Sequence, residues 1–299
     1  MRIFEVDRTL RESLTYKDPT FPIEISTDSY RSLPAHTLDC HWHLELEFAV
    51  MASGELDYYI SDGECIRLKE GDGIFINGNT MHMAKQAAGC SDAVMKVVAF
   101  SPSLLDHNVN GIVYQKYFQT VIGSAIQGVP LLHGDGAADE ILSLVKKIHG
   151  LDDTDFSYEL KCLGLVSQLW HEFLVYIRKA DESALEKKTY QKNDECMKKM
   201  LFYIREHLFE ELTVDQIARS ANVSRSECFK CFKRFSQKTP VEYINECRLT
   251  QGASLLACTK SSVTEIASMC GFSSSSYFCK LFKERYQLSP AQYRRKVKI

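Results

Sequence analysis

Residues 262 to 293 read SVTEIASMCGFSSSSYFCKLFKERYQLSPAQY, and this stretch decides how the carboxy-terminal third folds. Ser262 and Glu265 have the spacing of a capping box, in which each side chain satisfies a backbone N–H left free at a helix start. A short helix follows, with Ile266, Ala267 and Met269 expected on its buried face. Gly271 permits a sharp turn, and Ser273 or Ser274 caps a second helix. On that helix Tyr277, Phe278, Leu281 and Phe282 recur at helical spacing and are expected to face inward, leaving Ser275, Ser276, Cys279 and Lys280 outside. Short polar groups with one cation suit a DNA major groove.

Working upstream, residues 213 to 243, TVDQIARSANVSRSECFKCFKRFSQKTPVEY, repeat the pattern. Thr213 and Gln216 form the second capping box, Ile217-Ala218 match Ile266-Ala267, and Lys230, Phe232, Lys233, Pro240 and Tyr243 match Lys280, Phe282, Lys283, Pro290 and Tyr293. Ser224 with Glu227 caps the second helix of this unit, which is expected to bury Cys228, Cys231, Phe232 and Phe235. Between the units, Thr239-Pro240 with Glu242 starts a helix to about Ala257, roughly 25 Å long. One helix-turn-helix spacing is common in helical cores, but two in tandem with cationic exposed faces are not.

These residues resemble the AraC/XylS transcription regulators, whose DNA-binding domain is two such units joined by a linker helix. The Gly-Phe-Ser turn, the Tyr-Phe-x-Lys-Leu-Phe-Lys run and the closing Ser-Pro-x-x-Tyr-Arg carry the likeness together. The resemblance implies base-facing positions at Ser226, Phe229 and Lys230 in the first unit and at Ser276, Cys279 and Lys280 in the second. Arg225, Lys233, Ser275 and Lys283 complete the candidate DNA-binding set. A linker helix of this length lets the two reading helices enter successive major-groove faces about 34 Å apart.

Charge fits the same division. From Asn193 onward 18 lysines and arginines stand against 11 acids, a balance of +7, while the preceding residues carry −10 and the whole chain −3. A basic module carried by an acidic partner domain is the asymmetry of a nucleic-acid binder. Eleven cysteines without a paired framework argue for a reducing compartment. Cys228 and Cys231 have zinc-like spacing but share a helix side with Phe232 and Phe235, so core packing is expected. The amino terminus lacks the apolar run of a signal peptide, and a cytoplasmic protein with no membrane partner is expected.

Residues up to about Pro34 read as irregular. From His36 to Phe100 short strands alternate with Gly, Asn and Asp, which implies a small antiparallel sandwich or barrel. Alternation along one strand places His41, His43, Glu45 and Glu47 on one face and Trp42, Leu44, Leu46 and Phe48 on the other. The run resembles the first cupin motif, His41-x-His43, three residues, Glu47, six residues, Gly54. Gly71 and His82 match the second motif, but Asn77 stands where it has Pro, Asn79 where it has Gly and Gln86 where it has Asn. Those departures put the aim of His82 in doubt. His41, Trp42, His43, Glu45, Glu47 and His82 are therefore expected to line a pocket for a small organic effector, with a carbohydrate among the candidates, and no obligatory metal or other cofactor is expected.

Helices are expected over 112 to 127, 137 to 149 and 156 to 179. The last carries a stripe, Leu163, Val166, Trp170, Phe173 and Ile177 broadened by Leu160, Leu169 and Leu174, that suits internal packing or a dimer seam. The fold class is α+β: a cupin-like sensor barrel (1–105), a helical dimerisation segment (106–180), a charged linker (181–193) and an all-α double helix-turn-helix (194–299). This organisation implies an effector-responsive regulator that binds double-stranded DNA as a homodimer, with RNA polymerase as a further partner. The alternatives are a metal-dependent cupin enzyme, a dioxygenase or isomerase, fused to a DNA-binding domain, and a constitutive DNA binder whose barrel only dimerises.

Overall fold

Alternation through Leu46–Ser53 builds the middle of the first unit. In the computed structural model, which describes residues 6–7, 10–60, 65–186, 192–236 and 238–297, the chain divides into two compact units, Met1–Asp194 and Glu195–Ile299. The first contains β1 (Ile23–Ser29), β2 (Thr37–His41), β3 (Leu46–Ser53), β4 (Glu55–Ile60), β5 (Cys65–Lys69), β6 (Gly73–Ile76), β7 (His82–Gln86), β8 (Val94–Phe100) and β9 (Gly128–Leu131). They form two antiparallel sheets, ordered β1-β8-β3-β6-β9 and β2-β7-β4-β5.

Along β3 the side chains divide by parity. Ala49 and Met51 join Leu56, Tyr58, Leu68 and Ala84 of the facing sheet in the barrel core. Leu46, Phe48 and Val50 turn the other way, onto α2 (Gly136–His149) and α3 (Tyr158–Glu186). There Phe48, Phe75 and Phe100 pack on Trp170 and Phe173. Each such buried aromatic contributes on the order of 1.5–3 kcal/mol, so the barrel and the helix layer hold each other.

Several expectations change. Residues 41 to 48 are not one strand: β2 ends at His41, β3 opens at Leu46, and the chain crosses between sheets from Trp42 to Glu45. Leu44 is accordingly 46% exposed instead of sharing a buried face with Leu46. The segment read as irregular contains β1, an edge strand whose mostly half-buried residues give a weak periodic signal. The helix expected over 112 to 127 stops at α1 (Gln119–Ile122), where the Gly123 N–H bonds back to Gln119, and the following Gly-Val-Pro enters β9. Pro130 is tolerated because β9 is a sheet edge. α3 buries Cys162, Val166, Leu169, Trp170, Phe173 and Ile177, which makes the stripe internal packing, whereas Leu160 is exposed. That helix continues to Glu186, into the stretch read as linker; residues 187–191 of that stretch lie outside the described ones.

The second unit is all helical: α4 (Lys192–Glu206), α5 (Val214–Ser220), α6 (Arg225–Ser236), α7 (Pro240–Cys258), α8 (Val263–Met269), α9 (Ser275–Tyr286) and α10 (Pro290–Val297). The three capping boxes expected at Thr213/Gln216, Thr239/Glu242 and Ser262/Glu265 all form with both of their hydrogen bonds. Ser274 is the cap of α9. The turn between α8 and α9 passes through Gly271 at φ 77°, and the turn between α5 and α6 through Asn222 at φ 55°. Glycine and asparagine are the residues that take this left-handed conformation with least strain.

Met269 and Tyr277, expected inside, are 51% and 46% exposed. Cys270, four residues after Ile266, takes the buried position instead of Met269. Phe278 and Phe282 fill the core side of α9, and Tyr277 lies edge-on to Phe272 with its hydroxyl accepting from Asn245 Nδ2 at 3.4 Å. Cys228 and Cys231 are buried between helices, and burial pushes the Cys228 thiol up to about 12, away from the thiolate a metal needs. All eleven cysteines are free thiols.

Candidate functional site

Three histidines meet inside the barrel from three different pieces of chain. His41 ends β2, His82 opens β7 directly opposite it, and His43 lies on the crossing to β3. All three are buried, and one nitrogen from each lies within 4.8 Å of the other two. The ring centroids are 4.1, 5.0 and 6.0 Å apart. Glu47, on the barrel-facing side of β3, brings Oε2 to 3.3 Å from His43 Nε2, and Tyr58 of β4 donates its hydroxyl to Glu47 Oε1 at 3.4 Å while stacking on His82.

Each imidazole is oriented from behind. Nδ1 of His41, His43 and His82 bonds the carbonyl of Asp39, Glu45 and Thr80 at 2.8, 3.1 and 2.9 Å. A carbonyl only accepts, so Nδ1 is the donor in each ring, and the Nε2 edges turn toward the middle of the cluster. This is the outer-shell arrangement that fixes metal-ligating histidines. The metal ion that the cupin motif implies therefore has a donor set here that fits it. A cavity of about 560 Å³ lies elsewhere in this unit, between the 113–120 helical turns and α3, lined by Tyr117, Phe118, Trp170 and Leu174 with Lys116 and Arg178 on its wall.

The departures from the second cupin motif have structural reasons. Asn77 donates Nδ2 to the carbonyls of Val121 and Ile126 and accepts from Gly78 N–H, pinning the loop that a proline would stiffen. Asn79 takes the left-handed conformation, φ 65°, where the motif has glycine. Gln86 holds the next turn through Cys90 and Ala93. His82 consequently points at its partners.

Glu45 and Trp42 stand at the edge of the cluster. Glu45 Oε2 is 4.0 Å from His43 Nδ1, and its other oxygen accepts from Tyr16, whose hydroxyl is held protonated first by burial and then by that carboxylate. Trp42 is half-buried, paired through its backbone with Leu10 and Glu12 and lying under the Arg11 guanidinium. Glu12, 3% exposed, brings Oε2 to 3.7 Å from His41 Nε2. Sequence reading missed Tyr58, Tyr16 and Glu12. The alternation of LDYYI could have found Tyr58, which shares its inward parity with Leu56 and Ile60; nothing in the amino-terminal segment marks the other two.

In the second unit the candidate DNA-contacting side chains gather on α6 and α9. Ser226, Lys230 and Lys233 are exposed on α6, with Phe229 half-buried. Arg225 is exposed but pairs with Asp215 of α5 at 2.7 Å, and Lys230 has Glu227 3.9 Å away. On α9, Ser276, Lys280 and Lys283 are exposed, and Ser275 and Cys279 half-buried, with Cys279 packed against the core. The first turn of α9 has no acid.

Comparison with known proteins places both units. Residues 29–170 match the AraC-like ligand binding domain and residues 217–296 a helix-turn-helix domain. The chain is 30% identical over 299 residues to the uncharacterized HTH-type transcriptional regulator YdeC of Bacillus subtilis, covering 99% of each protein. It is 36% identical over 101 residues to the xylose operon regulatory protein of Escherichia coli, 34% of this chain and 26% of that one. Among solved structures, ToxT of Vibrio cholerae aligns over 91% of this chain and 98% of its own at 13% identity, with a TM-score of 0.41. No helix among the described residues is long and apolar enough to cross a membrane.

Proposed function

Because the chain belongs to the AraC/XylS family of transcription regulators, we propose that α6 and α9 are its two reading helices and that events in the barrel control how they engage double-stranded DNA. The observation that carries this reading is the pair of exposed helix faces, each with Ser and Lys outward and a phenylalanine core behind. Lys230, Lys233, Lys280, Lys283 and Arg225 supply phosphate attraction, while Ser226, Phe229, Ser275, Ser276 and Cys279 choose among bases. His41, His43, Glu47 and His82, with Glu45 and Trp42 at their edge, form the polar centre at which the effector acts. Occupancy there shifts the balance between conformations that differ in DNA affinity, a coupling typically worth ~1–3 kcal/mol.

In this reading the protein works in the cytoplasm as a homodimer, and the barrel performs no chemistry on its ligand. Relatives that are themselves regulators support the last point. The test is binding of the full chain to a duplex selected from a random pool, measured against salt. Several phosphate contacts make affinity fall steeply and linearly on a log–log scale. A flat salt dependence refutes the assignment of the basic faces.

A further inference from the structure

The second reading helix is held at both of its ends by two side chains of α7. Arg248 donates Nε to the Leu208 carbonyl at 2.8 Å and Nη2 to the Glu210 carbonyl at 2.7 Å, both in the connection from α4 to α5. The same guanidinium lies 5.9 Å from the Phe272 ring centroid and packs against Gly271, where an added Cβ would meet it at 3.1 Å. Gly271 and Phe272 belong to the turn that leads into α9. Two residues earlier, Glu246 accepts from Lys238, in the connection between α6 and α7, and from Arg285, in the last turn of α9. α4 in turn supports the first helix-turn-helix, since Cys196 Sγ donates to the Ala221 carbonyl in the turn between α5 and α6 at 3.7 Å.

Successive residues of a helix turn by about 100°, so Glu246 and Arg248 leave α7 about 160° apart, flanking the face that carries Leu249, Ala253 and Leu256 into the core behind α9. Apolar packing along that face is non-directional and does little to stop α9 rocking about the α7 axis. Hydrogen bonds are directional, and those made by charged groups are the stronger kind. Arg248 makes no ion pair among the described residues. Its charge is met by carbonyls just beyond the carboxyl end of α4, where the helix dipole is negative. A guanidinium suits this place, because its planar fork serves two carbonyls while its flat side lies against a ring.

We propose that Arg248 and Glu246 are positioning residues for DNA recognition: by bracing α7 on both sides against the second helix-turn-helix, they fix the orientation of α9 relative to α6 before DNA is met. Their role rests on the assignment of α6 and α9 as reading helices, and neither residue is in the candidate DNA-contacting set. With the orientation preset, engagement of one subsite brings the other reader to its own subsite at high effective concentration. Without the braces α7 acts as a hinge, and the second engagement must first order α9, which weakens it.

The full chain is bound to the duplex selected from a random pool and to two versions of it in which the bases of one subsite or the other are scrambled. Arg248→Met, which keeps a long stem without the donors, is expected to lose roughly tenfold or more in affinity for the intact duplex and less than about twofold for either scrambled one. Glu246→Gln, which keeps the shape and removes the charge, shows the same split at smaller size. Arg248→Lys, which still donates to a carbonyl, falls between Arg248→Met and wild type. A general loss of fold lowers binding to all three duplexes together, and thermal unfolding of each variant is followed alongside. Equal losses on intact and scrambled duplexes, or an unchanged affinity for the intact duplex in both Arg248→Met and Glu246→Gln, overturn the brace while leaving the reading helices in place. A wild type that does not distinguish the intact duplex from the scrambled ones overturns the reading-helix assignment, and the brace with it.

Discussion

The two helix-turn-helix units have one plan and different electrostatics. In both, a two-turn helix starts on a capping box, the chain turns through a left-handed residue, and the next helix buries a phenylalanine, Phe232 or Phe282. The N–H three residues beyond the first helix's end closes back onto an alanine carbonyl in each, Val223 onto Ala218 at 3.0 Å and Phe272 onto Ala267 at 2.9 Å. Outside that shared frame the first unit neutralises itself: Arg225 is held by Asp215 and Lys230 is accompanied by Glu227. On α9 Lys280 makes no ion pair among the described residues. A duplicated scaffold therefore fixes where cations sit but not how much of their charge reaches DNA.

The shared frame is broken most severely from inside. Phe232→Ala and Phe282→Ala are each expected to cost ~3–5 kcal/mol of stability, because a cavity follows the lost contacts. Denaturant unfolding of residues 193 to 299 checks this, and a loss under about 1 kcal/mol in one unit would show that the two cores are not equivalent. Next in size is the difference between reading faces. Lys280→Ala is expected to weaken duplex binding by ~1–3 kcal/mol, and Lys230→Ala by clearly less; equal losses in a titration of both variants would erase the proposed asymmetry. Removing the internal acid should work in the opposite direction. Glu227→Gln is expected to tighten binding by a few tenths of a kcal/mol, up to about 1, since the pair is exposed and screened.

The smallest effect concerns the capping boxes. Gln216 closes the first and does not titrate, whereas Glu265 closes the second and is held below its ordinary value of 4.5, chiefly by accepting the Ser262 backbone N–H. A carboxylate with a depressed folded pKa contributes stability that is present above its unfolded pKa and disappears as pH falls through the folded one. Amide protection factors, which correct for the intrinsic pH dependence of exchange, should accordingly fall at the start of α8 on acidification below about pH 4.5, and fall less at the start of α5. Glu265→Gln should remove the difference; persistence of the acid effect in that variant would assign it elsewhere.

Legibility followed the locality of the signal. Capping boxes, the Gly271 turn and the phenylalanine positions are set within four or five residues, and the helices of the second unit lie where the sequence put them. Tyr277 was misplaced because it adjoins the core position Phe278, and periodicity alone cannot separate the rim of a stripe from its centre. In the barrel, His41, His43, Glu47 and His82 do come together, although the single strand that was to carry the first three is two strands in different sheets. Glu12 was illegible: its place depends on a backbone pairing with Trp42 some thirty residues away, to which no local pattern points.

α7 gives the second unit a property beyond base preference. Its 19 residues make a rod of roughly 28 Å, closed against α9 where Gly252 meets the Phe278 ring. Glu246, in its first half, accepts from both Lys238 and Arg285. Two readers on a rigid bar measure distance. For such a reader the bases between two subsites are free to drift, but their number is not: an extra half turn of about 5 bp carries the second subsite to the far side of the duplex, leaving every letter intact and the word unreadable.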